Sequence, residues 1–405
     1  MVGLCLTLIA AAPSCAPPLD RSAFVACVLE RNPEILAARA RVRAAQARIT
    51  SATPILPENP EITVQIAHRQ SASASALNWY VALAQPIEIG GQRGPRLAGA
   101  RAEHDADAQR AKHTVRRVIA GAEAARLGWL AARERQMLVA SLEEALRKLA
   151  EAVAAHAQSG VASTLDAEVA YAEYVLFAER RAKLELEVAA ESSRVAAALD
   201  MEKAPEITGG LEPLAIADAV LARPIDGSEA PLARAARADA DAHRAAASLR
   251  RRSRVPSPTL LFTAQNDGFD ERVYGGGIAV RIPLPDPVGH AAIGEARMED
   301  AHAEEAEHLA ADEARRGAAE LERAIATYAS LRARQALYPA DRVAGARRSL
   351  LGLADAVASG RVTLREVTPA RQALLGLLEA ALDARVAWAL ASVRVAELGD
   401  ALVLP

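Results

Sequence analysis

The sequence predicts a mainly α-helical chain with a small β part, duplicated internally. Three observations predict it. Apolar residues make up 51% of the 405 residues but aromatics only 3%, so alanine carries much of the apolar content, and alanine is the strongest helix former. Two short stretches replace the helical pattern with alternation of apolar and polar residues, the period of a strand with one apolar face. These stretches occupy matching places in two halves, about two hundred residues apart, as expected of a duplication.

At the N-terminus, Val2 to Ala12 is an apolar run ending in Ala10-Ala11-Ala12. It is too short to span a bilayer and reads as the core and cleavage region of a secretory signal, so residues 1–15 are assigned as a signal segment. No basic stretch precedes the run, which leaves Met1 open as the true start. Cys15 lies directly behind it, and two outcomes stay open: plain cleavage, or a lipid anchor on Cys15. Of the three cysteines, Cys5 falls in the signal and Cys27 on a helical stretch. That count predicts neither a disulfide framework nor a metal-ligand pair.

The first repeat is expected over 16–203. A helix begins at Ser22 with Phe24 and Val28 on one face, breaks at Pro33, and continues to about Ala52, where Pro54 and Pro57 end it. A hairpin follows over 60–86. Ile62, Val64 and Ile66 alternate with Glu61, Thr63 and Gln65, a Ser/Ala-rich turn spans Gln70 to Ala76, and Trp79, Val81 and Leu83 lead to Pro86. From Pro95 a helical pattern runs to about Gln158, with Leu138, Leu142, Leu146, Leu149 and Val153 as its apolar stripe. Gly160 breaks it. Helix returns from Leu165 to Asp200, with Leu184, Val188, Val195 and Leu199 on one side.

A linker spans 204–228, with a short helical piece from Leu214 to Ala222. The second repeat, 229–405, follows the same plan: a helix from Pro231 to Arg252, a hairpin over 258–283, a long helix from His290 to Ala358 interrupted at Pro339, a break at Gly360, and a last helix from Leu364 to Leu398. In its hairpin, Tyr274, Gly276, Ile278, Val280 and Ile282 alternate with Gly275, Gly277, Ala279 and Arg281. The long helix of each half would be a rod of about 90 Å, and the two shorter ones end to end reach about 105 Å. Each half therefore pairs one long helix with two short ones stacked beside it. Helices this long with such thin stripes need neighbours. Four strands cannot close a barrel alone, and an open edge is not tolerated in lipid. Three chains would supply twelve strands, a number that closes.

This plan resembles the TolC-type outer-membrane efflux proteins, from about Ser22 to Leu398. The resemblance rests on the duplicated helix–hairpin–helix order, the strand ends Gln85-Pro86-Ile87 and Arg281-Ile282-Pro283-Leu284, and the Gly160 and Gly360 turns followed by Leu165-Asp166 and Arg365-Glu366. The run Gln85-Pro86-Ile87-Glu88-Ile89-Gly90-Gly91-Gln92-Arg93 is similar to the cobalt–zinc–cadmium heavy-metal branch. The resemblance implies a homotrimer with a twelve-stranded transmembrane β-barrel in outer-membrane lipid and a coiled-coil helical tunnel in the periplasm. It implies a passive duct, not an enzyme, working with a periplasmic adaptor protein and an inner-membrane transporter, often a proton-driven one. The implied cargo is a heavy-metal cation such as cobalt, zinc, cadmium or copper, with drugs or organic solutes as the alternative. A non-transport coiled-coil spacer is the competing class, and the two amphipathic hairpins argue against it.

Ser159, Gly160 and Val161, with Ser359, Gly360 and Arg361, look like the family's adaptor-docking tip. Thr368-Pro369 departs from the pattern, and Pro369 is expected to start a restarted helix. Asp166 and Glu366 lie six residues past the two glycines. They read as helix N-terminal acids that favour the macrodipole, and also as a ring of six carboxylates at a tunnel constriction in a trimer.

The remaining motifs point to no chemistry. Net charge is −3, which gives no electrostatic case for nucleic acid. No catalytic constellation, cofactor motif or metal site emerges. His302 and His308 stand six apart, which does not put them on one helix face. Gly90-Gly91 and Gly275-Gly276-Gly277 lack the Lys-Ser/Thr of a phosphate loop and read as a strand-to-helix bend and as close packing. Arg250-Arg251-Arg252 and Arg347-Arg348 read as solvated faces near helix ends.

Overall fold

The computed structural model describes residues 15–56, 58–70, 75–160, 162–216, 221, 224–266, 271–284, 292–359, 361–362 and 364–399. Within these, the side chains of 354, 355, 358 and 364–366 are not described. The signal segment, much of the short helical piece expected at Leu214 to Ala222, and the two hairpin loops lie outside the described residues in whole or in part.

The helices are α1 (Arg21–Arg31), α2 (Pro33–Ala52), α3 (Arg93–Gln158), α4 (Thr164–Ala198), α5 (Pro231–Arg252), α6 (Ile293–Gln335), α7 (Ala340–Ala358) and α8 (Leu364–Leu398). The strands are β1 (Glu61–Gln70), β2 (Ser75–Pro86), β3 (Pro258–Asn266) and β4 (Arg272–Val280). Each break follows local chemistry. Asp20 caps α1 by accepting from the Ala23 amide at 2.8 Å. Asn32 caps α2: its Oδ1 accepts from the Glu34 amide at 3.0 Å, and its Nδ2 donates to the Ala198 carbonyl at 3.1 Å, tying the joint to the end of α4. Pro339 separates α6 from α7 because it has no N–H to continue the ladder. The first hairpin is longer than its sequence suggests, with ladder pairing out to Gln70 and Ser75. β4 ends at Val280, two residues before the alternation does.

The chain forms two compact units. One comprises Met1–Ala37, Thr114–Ile225 and Gly317–Pro405; the other comprises Ala38–His113 and Asp226–Arg316. Each draws segments from both expected repeats. The first unit holds the large apolar side chains. Leu19, Phe24, Val28, Ile35, Ile119, Trp129, Val195, Leu199 and Ile207 form one cluster. Its buried polar centre is Glu123, which accepts from Arg21 Nε at 2.8 Å and Arg126 Nε at 2.9 Å. In the second unit the buried helix residues are almost all alanine: Ala45, Ala106, Ala233, Ala240, Ala247, Ala296 and Ala303 among them. Cross-helix ion pairs lace these helices together, including Arg48–Glu103, Arg110–Asp239 and Arg244–Glu307. Arg250 and Arg251 belong to the same lacing, paired with Glu295 and Asp300 on α6. They are not simply solvated.

The cysteine reading needs correction. Cys15 Sγ is bonded to Cys27 Sγ, with Cα atoms 5.5 Å apart. The segment between them folds back, with the Leu19 amide donating to Glu206 and the Leu19 carbonyl accepting from Thr208. That return brings Cys15 onto α1. A lipid thioether on Cys15 would need the same sulfur, so the two bonds exclude each other.

Candidate functional site: an exposed sheet face and two helix turns

The four strands form one antiparallel sheet in the order β1-β2-β3-β4. Its register sorts the side chains. Ile62, Val64 and Ile66 stand opposite Leu83, Val81 and Trp79. Leu83 and Val81 stand opposite Phe262 and Ala264, and Leu260, Phe262 and Ala264 opposite Ile278, Gly276 and Tyr274. Because side chains alternate, all of these share one face. That face is apolar from edge to edge and open: Ile62 and Ile66 are each 68% exposed, Ile278 68% and Phe262 57%. The other face carries Glu61, Thr63, Gln65, Tyr80, Thr263 and Gln265, with Leu261, Val273 and small residues between. The strands are 9 to 12 residues long, the length that crosses a bilayer when tilted. β1 and β4 are edges with no strand beside them among the described residues.

The bend out of the sheet is held at Gly90-Gly91. The Ile87 amide donates to the Pro258 carbonyl at 2.8 Å, and Arg252 Nη1 to the Gly91 carbonyl at 3.0 Å. A Cβ on Gly90 would stand 2.7 Å from Val255 Cβ, and Gly91 has φ +69. The pair is the strand-to-helix bend that the sequence suggests.

In the other unit, the two turns expected at the tip share one device. Ser159 Oγ donates to the His156 carbonyl at 3.0 Å, and Ser359 Oγ to the Ala356 carbonyl at 3.2 Å. Each serine caps the helix it ends. Gly160 has φ +75 with nothing near the place of its Cβ, a left-handed position that favours glycine. Arg361 folds back, its Nε donating to Ser359 Oγ at 2.8 Å. Val161 and Gly360 lie outside the described residues. Asp166 sits in the first turn of α4. Ser163 Oγ accepts from its amide at 3.0 Å and donates to its Oδ2 at 2.7 Å. This is a reciprocal N-cap, the helix-start reading of that acid. Glu366 lies in the first turn of α8, and its side chain is not among those described.

Behind the turns stands a contact that sequence reasoning missed. Glu173 on α4 receives Arg371 of α8 through both carboxylate oxygens, at 2.7 and 2.6 Å, and Thr368 Oγ1 donates to it at 3.1 Å. The Arg371 guanidinium lies over Phe177, 5.8 Å from the ring centre. Arg180 and Glu379 pair farther along the same two helices. Pro369 sits inside α8, in its second turn, not at a restart. A partner 198 residues away cannot be found from spacing; the only trace is that Thr368 and Arg371, three apart, share a helix face.

On the helix surface nearby, Arg147 and Lys148 donate to Glu144 and hold its carboxyl down to about 2. Among the described residues, no group of three or more His, Cys, Asp and Glu is placed to hold a metal ion. No described helix is long and apolar enough to cross a membrane.

Residues 26–199 match the family model described as outer membrane efflux protein. No curated protein matches the sequence. Solved structures resemble it over nearly the whole length. The Campylobacter jejuni CmeC outer membrane channel superposes with TM-score 0.76 at 12% identity, covering 94% of this chain and 85% of that one. The outer-membrane channel OprN gives 0.72 at 18%, covering 95% and 91%. CusC, described as forming a transmembrane channel, gives 0.73 at 13%, covering 94% and 91%. The chain therefore has the fold of outer-membrane channels, and its first half carries the sequence signature of the efflux family.

Proposed function

We propose that the chain is the outer-membrane channel of a tripartite efflux pump. It conducts solute passively from the periplasm to the outside and catalyses no reaction. The sheet carries this reading: an exposed apolar face on strands of spanning length, bounded by two edges with no strand beside them among the described residues. In lipid every backbone polar group must be satisfied, so an open four-stranded sheet has to close with copies of itself. Three copies give twelve strands. The helices then form a tunnel in the periplasm, and the turns at Ser159-Gly160 and Ser359 to Arg361 dock an adaptor protein, which links the channel to a proton-driven inner-membrane transporter. The periplasmic end prefers cations, through Asp166 and Glu366.

The proposed cargo is a heavy-metal cation, on the resemblance of the Gln85 to Arg93 run to the metal branch. A strain lacking the gene should lose resistance to cobalt, zinc, cadmium or copper and keep its resistance to drugs. The opposite pattern would replace metal with organic solutes and leave the channel reading intact. The channel reading itself is tested by cross-linking the detergent-extracted protein. A trimer is expected, and a stable monomer that needs no detergent would overturn it.

A further inference from the structure

Two histidines on different helices face each other in the second unit. His243 on α5 and His302 on α6 have ring centres 5.3 Å apart, tilted by 37°. Each is held at the same nitrogen by a carboxylate. His243 Nδ1 lies 2.7 Å from Glu299 Oε2, and His302 Nδ1 lies 3.3 Å from Glu305 Oε2. With Nδ1 engaged by a carboxylate, Nε2 is the ring nitrogen left on each histidine for a metal. Both side chains are part exposed, at 39% and 48%, so an ion can reach them from solvent.

The spacing can be checked against a metal. Zinc sits about 2.0–2.1 Å from an imidazole nitrogen, and that nitrogen lies about 1.1 Å from its ring centre; at a tetrahedral angle the two ring centres would be about 5.2 Å apart. Without a metal, the bland alternative is a pair of rings stacked in van der Waals contact. The carboxylate on each Nδ1 fits the metal reading, because a metal-bound histidine almost always gives its other ring N–H to a carboxylate, a backbone carbonyl or a water. His308, six residues past His302, is well exposed and pairs only weakly with Glu304, at 3.8 Å.

We propose that His243 and His302 form a two-imidazole site for a borderline divalent transition cation such as Zn²⁺ or Cu²⁺, with water completing the coordination and Glu299 and Glu305 as the orienting shell. A bound ion would staple α5 to α6 where the interface is otherwise alanine and ion pairs. The site is independent of what the channel carries.

The test is Zn²⁺ binding to the full-length protein in detergent, by isothermal titration at pH 7.5, with Cu²⁺ loading read by pulsed electron paramagnetic resonance. The expected result is one ion per chain and two equivalent imidazole nitrogens on copper. His243→Gln and His302→Gln should each remove that ion, and His308→Gln should keep it. Glu299→Gln should weaken it by about 10- to 100-fold. Circular dichroism of each variant confirms that its helices are intact. No stoichiometric ion in the wild type, or an ion that persists in both histidine variants, would overturn the proposal.

Discussion

Helices α4 and α8 are both 35 residues long and follow the two turns, yet they meet opposite fates. α8 buries one face from Val367 to Ala396. Leu375 and Leu378 pack with Leu142 and Leu350, Leu382, Ala389 and Val393 with Leu127 and Ala131, and Ala391 and Val395 with Ala324 and Tyr328. α4 buries only Ala170, Leu184, Val195 and Ala196. Leu165, Val169 and Leu176 fall within about 40° of one another around its axis, at 100° per residue. That stripe points outward, with Leu165 at 70% and Leu176 at 63% exposure. An apolar stripe thus states that a helix needs a neighbour without stating which one. α8 finds its neighbour in its own chain. In the proposed trimer, α4 finds it in a second copy.

Four measurements would sharpen or break that contrast. The largest effect on the fold is expected at Arg371→Met, which removes the buried guanidinium and leaves the largely covered Glu173 without a cation between the two helices. Loss of one partner from a buried pair costs about 3–5 kcal/mol, readable as a drop in unfolding free energy in denaturant. A loss below 1 kcal/mol would mean that the pair does not hold α4 to α8.

Next comes a matched truncation. Leu382→Ala on α8 should cost about 2–5 kcal/mol, as core cavities do. Leu176→Ala on α4 should change the stability of the single chain by less than about 0.5 kcal/mol, while weakening trimer formation in cross-linking. Equal effects of the two on chain stability would erase the distinction drawn above.

Gly160→Leu follows. Its cost is backbone strain alone, roughly 1–2 kcal/mol for a left-handed residue, since no atom crowds the site. The trimer should still form, but adaptor cross-linking and resistance should be lost, with Gly360→Leu behaving alike. Unchanged docking in both variants would remove the turns from the interface.

The smallest effect on stability, about 0.3–1 kcal/mol, is expected for Asp166→Asn, through the helix start. Combined with Glu366→Gln, it should shift the reversal potential of the channel in a bilayer toward anions and weaken block by divalent ions. If the double variant conducts like the wild type, Asp166 is a cap and nothing more.

The backbone plan was legible because its punctuation is local. Prolines and glycines mark nearly every helix end, and α5 and α8 begin and end where the pattern places them. The hairpins show through alternation, and the register of the sheet then follows, since slipping one residue would turn Ile62, Val64 and Ile66 to the polar face. What stayed hidden depends on contacts between distant segments. The bond between Cys15 and Cys27 requires the fold-back at Leu19, which a count of cysteines does not contain. Spacing along the chain relates His302 only to His308 on its own helix, whereas its neighbour is His243 on another. Glu173 and Arg371 look like two ordinary surface charges until α4 and α8 are laid side by side.

The bond between Cys15 and Cys27 also dates the molecule. Thiols stay reduced in the cytosol, and such a bond persists only in an oxidising compartment. In the proposed outer-membrane channel, a chain awaiting export would therefore carry two free thiols here, and an exported one that keeps Cys15 would carry none. Thiol-specific alkylation of pulse-labelled cells would separate the two populations by mass. The N-terminal fold-back thus marks, copy by copy, which chains of the proposed channel have already left the cytosol.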